Sequence, residues 1–74
     1  MRKILSKVNI KDQYIKLGQV LKLSGMVGSG LEAKIVIHQG KVKVNGEVEL
    51  QRGKKLHNGD VVTYNGETTK ILQC

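Results

Sequence analysis

Proline, tryptophan and phenylalanine are absent from this chain, the only aromatics are Tyr14 and Tyr64, and cysteine occurs once, at Cys74. Each gap excludes something. The lack of aromatics in series argues against an RRM- or OB-type reader of splayed bases. The core must be built from Val, Ile, Leu and Met. A single cysteine forms no intramolecular disulfide, and neither a CxxC pair nor a C-terminal prenylation motif is present. Such cysteine usage suits a reducing cytoplasm. No apolar run approaches the roughly 18 residues of a membrane span. The basic Met1-Arg2-Lys3 start is followed by ILSKVNI, which Lys7 and Asn9 break, so no signal peptide is visible. No nucleophile–base pair, metal cluster or paired carboxylate has recognisable spacing. An enzyme, a cofactor, a metal, a membrane and a small-molecule substrate are therefore not expected.

What is present is positive charge. Thirteen Lys/Arg against six Asp/Glu give a net charge of +7 over 74 residues. That length suits a single domain, 1–74, with a thin core. The excess is uneven. Residues 1–40 carry seven basic residues against Asp12 and Glu32, residues 41–56 carry five against Glu47 and Glu49, and residues 57–74 carry Lys70 against Asp60 and Glu67. One part of the molecule should be strongly positive, as in a nucleic-acid binder. A merely soluble basic protein is the plainer alternative.

The spacing predicts an α+β fold of two short packed helices followed by a small, mainly antiparallel sheet. Ile4 to Ile10 has strand-like composition, with Val8 and Ile10 on one face and Leu5 breaking the alternation, and reads as an edge strand. Tyr14-Ile15 is a short extension or a bridge. Leu17, Val20 and Leu21 form one face of a helix that Gly18 weakens and Ser24-Gly25 ends. The connecting Met26 and Val27 are apolar and should be packed. Ser29 and Glu32 form a capping box for a second helix that Gly40 stops near Gln39. Leu31 and Ile35 define its apolar stripe, widened by Ala33, Val36 and Ile37. Lys41 to Val44 alternates like a half-buried strand. Asn45-Gly46 is a two-residue hairpin turn. Val48 and Leu50 return on the core side. Gln51 to Lys55 is a basic loop, His57 to Asp60 a turn, and Val61–Tyr64 and Thr68–Leu72 strands about an Asn65-Gly66 turn.

The run from Leu17 to Val62 resembles the RNA-binding domain named after ribosomal protein S-four, also called the αL motif. Leu17, Leu21, Gly25, Ser29, Ala33, Ile37, Gly40, Val42, Val44, Asn45, Gly46, Gly59 and Asp60 fill its pattern, over about 45 of the 74 residues. The wording IKLGQVLKL and GSGLEAKI is similar to small bacterial proteins of the YaaA/YbcJ type, which consist of this domain and little else. The resemblance implies an RNA-contacting surface made by the two helices and the following hairpin. Lys34 replaces the family's second arginine, and Gly30 stands where the first is usual, which removes one phosphate contact. Lys22 and the Arg52–Lys55 loop can compensate.

The expected partner is structured RNA, ribosomal RNA among the candidates, bound by a monomer. Eleven of the thirteen basic residues are lysine, a mobile point charge suited to phosphate, and the arginines suited to base reading are only Arg2 and Arg52. Lys34, His38 and Lys41 share one helix face and its exit, and Lys43, Arg52, Lys54 and Lys55 follow. With Lys22, and the amides beside Ser29 and Gly30 as an anion site, these make up the candidate RNA-binding set. Plainer readings stand beside them. Lys34 and Lys41 also suit a solvated helix face, and His38 and His57 ordinary surface histidines. Asn45 suits a turn better than base reading. His38, His57 and Cys74 lack zinc-ligand spacing. Gly25-x-x-Gly28-x-Gly30 lacks the lysine and the preceding strand of a phosphate loop. Two rival functions remain: helix-turn-helix-like DNA binding, and a protein-interaction module on a ribosome or replication complex using the apolar GMVG turn.

Overall fold

A computed structural model describes residues 4–73 of the chain, with side chains from Lys7 onward. Cys74, the Met1–Lys3 start and the side chains of Ile4 and Leu5, all of which enter the reading above, lie outside the described residues. The elements in chain order are β1 (Ile4–Ile10), β2 (Ile15–Lys16), α1 (Leu17–Leu23), α2 (Gly30–His38), β3 (Val42–Val44), β4 (Glu47–Val48), β5 (Lys55–Leu56), β6 (Val61–Tyr64) and β7 (Glu67–Gln73). The class is α+β, but two strands precede the helices, so the order is not helices and then sheet.

One five-stranded sheet has the order β1-β7-β6-β3-β4, and β2 with β5 forms a separate two-stranded ladder. Three ladders of the large sheet are antiparallel and β1–β7 is parallel, with β1 at the edge. The broken alternation at Leu5 has a backbone cause. Ile4 pairs with Thr68 but Ser6 with Thr69, so β1 spends one extra residue there, as a bulge does.

The core lies between the helices and one face of the sheet. Leu17, Val20 and Leu21 of α1, Ala33 and Ile37 of α2, Val42, Leu56, Val62 and Ile71 are fully buried or nearly so, joined by Val8, Ile10, Ile15, Val27, Val36 and Val44. Met26 is half-buried against this cluster. Within the GMVG turn Val27 is buried and Met26 half-buried, while Gly25 and Gly28 are exposed.

Two expectations about faces fail. On α2 the buried stripe is Ala33–Val36–Ile37, while Leu31 and Ile35 are 68% and 46% exposed. Each of these two sits two residues from a buried position, about 200° round the helix, so both sets cannot face the core. Val48 and Leu50 are 52% and 57% exposed as well. β4 is a two-residue edge strand with no layer stacked over it, and their methyls lie instead against Gly40. A Cβ there would be 3.7 Å from Val48 Cγ1 and 3.9 Å from Leu50 Cδ2.

The hairpin turns form as their residues dictate. Asn45-Gly46 and Asn65-Gly66 have φ of 52° and 87°, and 52° and 80°, both residues positive as a type I′ turn needs. Asn45 does more than turn the chain. Its Oδ1 accepts from Val61 N–H at 3.0 Å, and its Nδ2 donates to Asp60 Oδ1 at 3.1 Å. Asp60 Oδ2 in turn accepts from His57 N–H at 2.7 Å. The Asn-Gly and Gly-Asp pairs of the resemblance therefore meet in one knot that ties the β3–β4 hairpin to β6.

This separates two turns of identical sequence. Asn65 has the same φ but no side-chain hydrogen bond of this kind. Asn65→Ala should lose about 1 kcal/mol, the cost of a left-handed alanine. Asn45→Ala should lose about 2 kcal/mol, since the anchoring bonds go too. Urea unfolding of the two variants checks this, and equal losses would remove the knot's claimed role.

Candidate nucleic-acid interface

α1 begins without a good capping residue. Lys16 is at the N-cap, and the box-like contact is weak, Lys16 N–H reaching Gln19 Oε1 at 3.4 Å. Orphan amides at a helix start must find acceptors elsewhere. The basic loop supplies them. Leu17 N–H donates to Lys54 O at 2.9 Å, and Gly18 N–H to Arg52 O at 3.1 Å. The β2–β5 ladder continues the same closure, pairing Ile15 with Leu56 and Lys16 with Lys55, and Leu56 is fully buried beneath it.

Gly18 permits this approach. A Cβ on it would stand 2.7 Å from Arg52 Cγ and 3.3 Å from Arg52 Cδ. The glycine that weakens the helix on propensity alone is what lets the 52–54 strand of chain lie on its first turn.

The closure gathers cations. Lys16, Lys22 and Arg52 surround an open cleft of about 310 Å³ whose rim includes Gly30 and Gly53. Lys22 leans over the missing side chain of position 30, where a Cβ would be 3.9 Å from Lys22 Cδ. Lys22, Gly30 and Arg52 thus line one cleft. Lys16 joins them unforeseen. A lysine at an N-cap carries no periodic signal, and its neighbours come from a loop 36 residues later.

The other candidates lie elsewhere. Lys34 and His38 are exposed one turn apart on α2, Lys41 is exposed at its exit, and Lys43 projects from the solvent face of β3. Lys54 is exposed in the loop, and Lys55 holds its Nζ 4.8 Å above the Tyr14 ring. Ser29 is committed to structure: its hydroxyl accepts from Glu32 N–H at 3.1 Å. The capping box closes one residue early, because Glu32 Oε1 accepts from Gly28 N–H at 2.8 Å rather than from Ser29. A carboxylate already sits where an anion site was expected at this helix end.

Among the described residues no lysine or arginine lies within ion-pair distance of an acidic side chain, and the one contact at that range is His57 Nδ1 to Asp60 Oδ2, at 4.0 Å. The lysines and Arg52 therefore face solvent without acidic partners, a field that attracts polyanions. Among the same residues no three His, Cys, Asp or Glu side chains converge as metal ligands, and no helix is long and apolar enough to cross a membrane.

The family model described as an S4 domain matches residues 8–72. YbcJ of Escherichia coli (strain K12), named as a candidate RNA-binding protein, is 37% identical over 62 residues, 84% of this chain and 89% of YbcJ. RlbA of Bacillus subtilis (strain 168), named as a candidate ribosome maturation protein, is 42% identical over 59 residues, 80% of this chain and 83% of RlbA. The solution structure of E. coli YbcJ, described as revealing an αL motif involved in RNA binding, superposes with a TM-score of 0.72 at 32% identity, covering 97% of this chain and 92% of that one. Ribosomal protein S4e of Thermoplasma acidophilum superposes with a TM-score of 0.60 at 31% identity, covering 78% of this chain and 31% of that one.

The Gly18–Arg52 contact is testable by a double-mutant cycle. Gly18→Ala should destabilise the protein although alanine is the better helix former by about 1 kcal/mol. In an Arg52→Ala background, with the clashing methylenes gone, Gly18→Ala should become neutral or stabilising. Thermal unfolding of the four proteins gives the coupling, and additive effects would show that the approach is not limiting.

Proposed function

The chain belongs to the S4 domain family, and from that premise we propose that it is a non-catalytic RNA-binding protein that docks structured RNA, ribosomal RNA foremost, through a lysine-rich helix–hairpin surface. The observation that carries this is the set of exposed cations on α1, α2, β3 and the 52–55 loop, none of which has an acidic partner among the described residues. The names of YbcJ and RlbA support RNA and the ribosome as the setting.

The mechanism is electrostatic and shape-based. Lysines on flexible stems neutralise phosphates and release counterions. Lys34 and Lys41 with Lys43 supply one group of contacts, and Lys22, Arg52, Lys54 and Lys55 another. Base-specific readout has little to work with. The outward face of α2 offers Leu31, Lys34, Ile35 and His38, no arginine or asparagine for bidentate contact to base edges. This also weakens a helix-turn-helix reading. A protein-interaction surface on the GMVG turn is reduced, since Val27 is 6% exposed and Met26 is half-buried against the core.

If about five cations neutralise phosphates, log K should fall against log salt with a slope of roughly −3.5 to −4.5. Competition binding of an RNA hairpin against a DNA duplex of matching sequence measures it. Lys34→Glu with Lys41→Glu should weaken RNA binding and flatten the slope by about two. Gly30→Arg, whose Cβ would meet only ordinary contact with Lys22, should steepen it by about one. A slope near zero, or DNA competing equally, would overturn the proposal.

A further inference from the structure

The cleft between Lys16, Lys22 and Arg52 does not end at Lys16. A second depression, lined by Tyr14, Gln13 and Asp12, shares Lys16 and Gln19 with the first. The two adjoin at Lys16 and Gln19 along the start of α1, with volumes of about 310 and 550 Å³, a size suited to a small ligand. The ends of this groove differ in chemistry. One end has three cations and no acid. The other has a carboxylate, an amide and an aromatic ring. Lys16 and Lys22 start about 9 Å apart along the helix, and with Arg52 both line the same cleft. The α1 amides do not supply the field, since Leu17 and Gly18 already donate to loop carbonyls.

We propose that this groove takes one unpaired nucleotide of an RNA strand, its phosphate between Lys16, Lys22 and Arg52 and its base against Tyr14. This rests on the RNA reading above and extends it to a single-stranded element beside the docked structure. Tyr14 is 40% exposed and lines the second depression, whereas Tyr64 is half-buried. The Tyr14 ring is already part of a polar cluster: Lys55 Nζ lies 4.8 Å from its centroid, and the His57 ring lies 6.4 Å away, tilted by 55°. A base stacked here gains from the ring, as bases do on aromatic side chains in single-strand readers. Asp12 fixes the direction. Its carboxylate accepts from an exocyclic amino group and repels phosphate, which turns the charged end of the nucleotide toward Lys16. Neither Asp12 nor Gln13 makes a side-chain hydrogen bond or ion pair among the described residues, so both are free to read a base edge. A sequence with two isolated tyrosines gives no hint of this, because the platform is made by one ring placed next to a phosphate site.

The test uses the protein's own fluorescence. The chain has no tryptophan and two tyrosines, so Tyr64→Phe leaves Tyr14 as the sole emitter. Three probes are titrated: a blunt RNA hairpin, the same hairpin with a few unpaired adenosines, and free adenosine monophosphate. The overhang hairpin should quench Tyr14, bind about tenfold tighter than the blunt one, and act at far lower concentration than the free nucleotide. Tyr14→Ala should abolish that tenfold preference. Tyr14→Phe, which keeps the ring, should retain the preference and guards against a folding effect. Equal binding of both hairpins without quenching would overturn the groove and leave the RNA reading standing. Quenching by the mononucleotide at the same concentration would show a free-nucleotide site and also overturn it. Binding of neither hairpin would remove the RNA reading itself.

Discussion

The first turn of α1 cannot satisfy its own amides, and much of the interface follows from how that is resolved. Leu17 and Gly18 give their N–H groups to carbonyls of the 52–54 segment. For that to happen the loop must lie on the helix, and for the loop to lie there position 18 must lack a side chain. Once the loop is down, Leu56 is carried into the core and Ile15 finds its β5 partner. Arg52 arrives beside Lys16 and Lys22 by the same movement. A backbone requirement has therefore assembled a charged cleft, with no attraction between the charges to help. Lys16 and Lys55 even face each other across the β2–β5 ladder, a like-charge pairing that costs stability. Hydrogen bonds and a buried leucine hold in place what electrostatics would push apart.

The second tie works on the opposite side of the sheet order. Asn45 and Asp60 share one hydrogen bond, and each also fixes a backbone N–H, of Val61 and His57 respectively. Asn58 extends the knot by accepting from Gln73 N–H at 2.8 Å. The hairpin bearing Lys43 is thus pinned to β6, and the turn that pins it to β7. Residues that a pattern match presents as functional markers are here structural, and the lysines between them carry the charge. The division has a physical basis. Short amides and carboxylates make well-directed bonds at fixed distance, whereas lysine keeps its ammonium mobile and hydrated.

Local chemistry in the sequence predicted local structure well. Both type I′ turns, the glycine stop at Gly40 and the Ser29 cap are set by residues within a few positions of each other. The edge position of β1 was legible from its composition, but its parallel pairing with β7 was not, because alternation says nothing about a partner more than 60 residues away. The α2 stripe was misphased because the helix is apolar on more than one side. Leu31 and Ile35 satisfy the same spacing rule as Val36 and Ile37's neighbours, and only packing against α1 selects between them. Val48 and Leu50 alternate correctly yet face solvent, since alternation assigns a face and not a covering layer. For the candidate site, Lys22, Gly30 and Arg52 were named from the resemblance, while Lys16 and Tyr14 depend on a ladder of two residues per strand that has no period to detect.

Gly30 connects these points. Read against the family pattern, it is a deletion of one arginine and so of one phosphate contact. In the fold it also forms part of the cleft's rim, with Lys22 passing beside the empty Cβ site. An arginine there would place a third long cation between Lys22 and Arg52 and crowd the space that a nucleotide would need. The exchange trades one point charge for a cavity bordered by three others. A surface that reads only duplex shape gains nothing from such a cavity; a surface that also holds an unpaired nucleotide requires it. The same absence that weakens the resemblance at one residue is thus the strongest geometric reason to expect the groove beside it to be used.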